Sequence, residues 1–192
     1  MAAPRYLKAF KDLLASSPGF ADLPEIELES YGNKSDRAAV ILQASIVENI
    51  LQGTIEKKMR PLSRDLRERL FEGNGPLSSF ANKINVAYAL GVFADVFRHD
   101  LDLIRELRNG FAHTRHPTTF STPQVAEVCR CLKLPDNLQL SVVPDSYYAY
   151  FLQKVADQAH PRTRFTVACH TISAHLLVIW PDLEAGHLDL LP

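Results

Sequence analysis

The residues best suited to chemistry lie in one short stretch, Ile104-Arg105-Glu106-Leu107-Arg108-Asn109-Gly110-Phe111-Ala112-His113. An arginine can hold a phosphate or stabilise a pentacoordinate phosphorane, and a histidine can serve as general acid or base for attack by a ribose 2′-hydroxyl. Arg108 and His113 are therefore candidate catalytic residues for phosphoryl transfer. Five residues of ideal helix turn a side chain by about 140°, so the two point to different faces. Bringing them together needs a second copy across a homodimer interface, or an unwound last turn at Gly110. Arg105, Asn109 and His113 do line up at four-residue spacing.

The same residues have a structural reading, which is the favoured one. Arg108 falls among Leu101, Ile104 and Phe111, and a guanidinium on an apolar stripe needs a carboxylate. Glu48 is the first choice, because Glu48 and Asn49 interrupt an otherwise apolar helix; Asp36, near the start of that helix, is the second. On this reading Arg108→Ala costs about 3–5 kcal/mol. His113, Arg115 and His116 form a small cationic patch that complements a helix C-terminus.

No metal or cofactor site is expected. Cys129 and Cys131 are two apart and point to different faces of a helix, Cys169 has no paired spacing, and His170 and His175 do not share a face. Segment 56–69 sets six basic residues against three acidic ones. Its Lys57, Lys58, Arg60, Arg64 and Arg67 are a candidate polyanion contact. The interleaved acids also suit a solvated helix face. No helix-turn-helix, zinc-finger or basic-zipper pattern accompanies them, so sequence-specific DNA reading is not expected. Gly73-Asn74-Gly75 precedes Pro76 and reads as a turn, not a phosphate loop. Nor is there a nucleophile elbow, and the chain is not expected to be an enzyme.

Composition agrees with an ordinary globular chain. Of 192 residues 46% are hydrophobic and 22% charged, with a net charge of −1, so no global field draws it to nucleic acid or an anionic membrane. The first residues lack the apolar core of a signal peptide. The longest apolar run found, Leu176 to Trp180, is far short of a bilayer. Reduced thiols and a cytoplasmic location follow as expectations.

The elements that must position these residues are helices. Apolar periodicity predicts helices over 4–15, 36–59, 63–70, 77–90, 93–113, 122–132, 147–158 and 162–180, the last ending at Pro181. Ser35 or Asp36 caps the second, Pro76 suits the first turn of the fourth, and Thr122 with Pro123 opens the sixth. Leu138 to Val143 reads as loop. The expectation is an all-α, single-domain bundle of about seven or eight helices over 1–192, with an N-terminal helix and irregular connection at 1–34, a core at 35–116 and C-terminal helices at 117–192.

Two families enter by resemblance. Ser35-Asp36-Arg37-Ala38-Ala39, then Leu70-Phe71-Glu72-Gly73-Asn74-Gly75-Pro76-Leu77-Ser78-Ser79-Phe80 with Lys83-Ile84, and finally Arg108-Asn109-Gly110-Phe111-Ala112-His113 together resemble the mannitol operon repressor family. That resemblance implies an all-helical transcriptional regulator of carbohydrate or sugar-alcohol uptake, acting through a protein partner. The Arg108-to-His113 spacing alone is similar to the signature of HEPN-type helical proteins. It implies the alternative, a metal-independent ribonuclease.

Overall fold

Ser35 starts the described bundle: its Oγ accepts the Ala38 amide at 3.3 Å and opens α1, Asp36–Lys58. The computed structural model describes residues 35–138 and 159–184. The expected helices at 4–15 and 147–158, and all but the first residue of the loop at 138–143, lie outside them.

Helix α1 is apolar around most of its circumference, and Ala39, Val40, Ala44, Val47, Ile50, Leu51 and Ile55 are all buried. A helix of that kind belongs where neighbours surround it. By length and composition α1 could cross a membrane, which a search for unbroken apolar runs overlooked. Here that apolar surface packs against three other helices.

Ser63 caps α2, Arg64–Phe71, by accepting the Leu66 amide. The turn that follows is tight: a Cβ on Gly75 would lie 2.5 Å from the carbonyl oxygens of Arg69 and Leu70. Helix α3, Phe80–Ala89, begins later than expected. Ser79, whose Oγ accepts the Asn82 amide at 3.1 Å, is the cap, while the Asn82 side chain donates to the Pro76 carbonyl at 2.8 Å. Pro76 thus belongs to the turn and not to the helix. At the other end Gly91, at φ +67°, lets its own amide reach the Tyr88 carbonyl and the Val92 amide reach Ala87, which closes the helix in a Schellman motif.

Helix α4, Asp95–His113, faces the core with Phe97, Asp100, Leu101, Ile104, Leu107 and Phe111. The apolar stripe passes through Leu107, so Arg108 is rotated about 100° to its side. Helix α5, Pro123–Arg130, has Thr122 at its cap position, but that hydroxyl accepts the Thr119 amide instead of a helix amide. A 3₁₀ turn, Leu134–Asp136, follows. Helix α6, Pro161–Glu184, runs past Pro181 rather than ending before it. A proline removes one helix hydrogen bond, which a long helix anchored upstream can tolerate.

The described residues hold six helices and no strand. All six feed one apolar cluster, from Val47 on α1 and Phe71 on α2 to Ile172 on α6. Phe120 connects its parts, stacking against Phe111 at 5.9 Å and Phe165 at 5.6 Å between ring centroids. Each such ring taken from water contributes roughly 1.5–3 kcal/mol.

Candidate functional site

Helices α1, α3 and α4 meet at a polar cluster. Glu48, on α1, accepts from Lys83 Nζ of α3 through Oε1 at 2.8 Å, and its Oε2 lies 3.8 Å from Arg108 Nη2 of α4. The side chains of Lys83 and Glu48 are 6% and 13% exposed, that of Arg108 36%. Arg108 also donates to its neighbour Asn109 at 3.1 Å. Glu48 and Arg108 are therefore near each other, but the carboxylate belongs first to Lys83. Sequence reasoning missed that lysine. The signal was present: Phe80, Lys83, Ile84 and Ala87 form one buried face of α3, and a cation on such a face requires an acid.

Asp36 does not serve Arg108. Its Oδ2 accepts the Phe120 amide at 2.9 Å and its Oδ1 accepts Arg162 Nη1 at 3.1 Å. Arg37 alongside donates to the Thr114 carbonyl at 3.1 Å. The start of α1 thus fixes both the loop after α4 and the start of α6.

His113 lies exposed in the last turn of α4. Among the described residues no hydrogen bond or ion pair links it to Arg108, and α4 stays helical through Gly110. Arg105 is engaged by Glu106 at 2.7 Å and Asp102 at 3.7 Å. Arg105 and Asn109 are thus met by neighbours of their own helix, while His113 faces solvent.

Beside this turn α4 and α5 frame a groove of about 310 Å³, lined by Leu107, Gly110, Phe111, Thr118, Val125 and Val128. Its walls are mostly apolar. Of the basic segment, Arg67 donates to Glu56 at 2.9 Å, Arg64 to Glu68 at 3.0 Å, and Arg69 pairs with Asp65. Lys57 and Arg60 are exposed, Lys58 half-buried.

Two further polar anchors escaped the sequence reading. Asp100, fully buried on α4, accepts the Lys133 amide at 2.9 Å and the Leu134 amide at 2.8 Å, with His99 Nδ1 also at 2.9 Å. Arg164 of α6 donates to the carbonyls of Cys129 and Leu132 and grips both oxygens of Asp136. Its guanidinium holds the Asp136 carboxyl below the usual range through that hydrogen bond. Both anchors tie the α5 end of the bundle together.

Two thiols and two imidazoles are shifted by burial. Burial pushes the Cys129 thiol up to about 12 and the Cys169 thiol well above its ordinary value, which suppresses the thiolate needed for attack or metal binding. Burial also lowers His170 to about 3 and His175 to about 4. His175 stacks on Phe97 with ring centroids 4.2 Å apart. Among the described residues no group of three or more His, Cys, Asp or Glu could hold a metal ion.

No family model matches the chain, and no curated protein matches it. Solved structures do. A chain of the X-ray structure of the MtlR–HPr complex from Escherichia coli superposes with a TM-score of 0.60 at 17% identity, over 82% of this chain and 99% of that one. The possible transcriptional regulator YggD from Shigella flexneri 2a str. 2457T gives a TM-score of 0.61 at 13% identity, over 84% and 99%. The chain has the fold of the mannitol operon repressor family. That fold spans nearly the whole length of both matched chains, so the resemblance read in segments 35–39, 70–84 and 108–113 extends to the shape of the bundle.

Proposed function

We propose that this chain is a repressor-type regulator of carbohydrate or sugar-alcohol uptake that works in the cytoplasm through a protein partner and does not itself read DNA bases. The observation that carries the reading is the fold shared across 99% of a chain solved in the MtlR–HPr complex. HPr of the same genome is accordingly the first partner to try. The electrostatics support a protein partner over direct base readout. The net charge is −1, and each arginine of α2 already faces a carboxylate, whereas tight duplex binding relies on many unspent cations. A gel-shift titration tests this: sequence-selective nanomolar binding of purified chain to duplex DNA at physiological salt would overturn it.

The chain is also proposed to be non-catalytic. Arg108 is drawn toward Glu48 and Asn109 while His113 faces solvent. Incubation with single-stranded RNA in chelator should leave the RNA intact. Cleavage that disappears in His113→Ala would establish the ribonuclease alternative instead.

A further inference from the structure

Gly110 has no conformational reason to be a glycine. It lies inside α4, its carbonyl accepts the Thr114 amide at 3.0 Å, its φ is not positive, and a Cβ built on it would meet nothing within 4 Å. A glycine there weakens the helix relative to alanine. What it supplies is a place where another segment can approach the helix backbone closely. That place is in the wall of the groove between α4 and α5, about 310 Å³ in volume, whose other walls are Leu107, Phe111, Val125 and Val128.

The chain itself brings a candidate occupant to this groove. Thr114 and Thr118, on the loop after α4, line it, and the same loop is fastened to the start of α1. Arg37 donates to the carbonyls of Thr114 at 3.1 Å and His116 at 3.5 Å, and the Phe120 amide donates to Asp36 at 2.9 Å. Residues 1–34 therefore join the bundle beside the groove. Within them, segment 4–15 sets Tyr6, Leu7, Phe10, Leu13 and Leu14 on one side of a helical pattern, with Lys8, Lys11 and Asp12 on the other. A connection of about 19 residues, 16–34, has a coil span of roughly 25 Å, against about 35 Å from Ser35 to the far end of α1. Closure onto the groove is thus favoured over any site at the opposite end.

We propose that segment 4–15 docks as an amphipathic helix in the α4–α5 groove of its own chain, with Phe10, at the centre of its apolar side, seated over Gly110. An apolar helix side laid into a groove between two helices is a recurring mode of recognition. The mostly apolar walls suit leucine and phenylalanine side chains, and the missing Cβ at Gly110 lets the docked helix come close. The inference is independent of the reading that this chain acts through a protein partner.

Disulfide trapping in the full-length chain tests this. Cys131→Ser removes the exposed native thiol, while Cys129 and Cys169 are buried. Gln124→Cys, at an exposed position on the α5 side of the groove, is combined with Ala9→Cys or Lys11→Cys, which flank the apolar side of the segment. Mild oxidation should join the two engineered thiols within one chain, about tenfold or more faster than when Arg60→Cys replaces Gln124→Cys, as the higher local concentration requires. Arg60 is exposed beyond the far end of α1. Phe10→Asp and Gly110→Gln should each slow the trapping about tenfold or more, as loss of a contact centre does. Melting temperatures are followed alongside. Should Phe10→Asp melt early, Gly110→Gln decides alone, because its side chain starts in open space. Trapping no faster than with Arg60→Cys, or undiminished by Gly110→Gln, overturns the proposal, and so does a disulfide that joins two chains, which assigns the groove to a second copy.

Discussion

Lys83 Nζ lies 2.8 Å from Glu48 Oε1, with both side chains almost wholly withdrawn from water. Removing one partner of such a pair strands the other, so Lys83→Ala or Glu48→Ala should cost about 3–5 kcal/mol. Arg108 is a different case: at 3.8 Å and 36% exposed its ion pair is worth about 1 kcal/mol or less. This revises the cost of 3–5 kcal/mol expected for Arg108→Ala, because the apolar stripe runs through Leu107. Lys83→Met combined with Glu48→Gln should recover much of the single-variant loss. Urea denaturation checks the set, and an Arg108→Ala as damaging as Lys83→Ala would show that the carboxylate depends on the arginine.

Asp100 supports the far end of the bundle by accepting the Lys133 and Leu134 amides. In Asp100→Ala both amides lose a charged acceptor in a buried setting, at roughly 2–4 kcal/mol. Hydrogen exchange should show the loss concentrated at 132–137, with α1 protected until global unfolding. Uniform protection across 132–137 in the variant would contradict this anchor.

Acid should loosen the core through its buried imidazoles. His170 and His175 titrate near 3 and 4 when folded, against 6.5 for the ordinary group. Depressed folded values mean that the unfolded chain takes up protons first. Their contribution is complete above pH 6.5 and drains away as pH falls toward 4, by roughly 3 kcal/mol for His175 alone. His175→Phe keeps a ring against Phe97 and removes the titration. Between pH 6.5 and 4 its stability should fall less steeply than that of the wild type, and parallel curves would count against the burial argument.

Much of the bundle was legible in the chain because helices announce themselves locally. The apolar circumference of α1, its cap at Ser35 or Asp36 and the Pro123 start all followed from neighbours within a turn. Local signals also misled: Thr122 spends its hydroxyl on the Thr119 amide, and Pro181 lies within α6. The polar core was less legible, since Lys83 is 35 residues from Glu48 and Asp100 is 33 from Lys133. Spacing shows that a charge lies on a buried face; it does not say which distant group answers it. A partner's surface is further removed still, being encoded in another chain.

If this chain acts by binding a protein, HPr is the first candidate by analogy of fold. Isothermal titration of the purified chain with HPr from the same genome decides this. Saturable binding with one HPr per chain and a Kd at or below the micromolar range, about −8 kcal/mol or better, is the predicted result. No saturable binding with HPr raised to about 1 mM, where an interaction of only about −4 kcal/mol would still register, is the result that contradicts it.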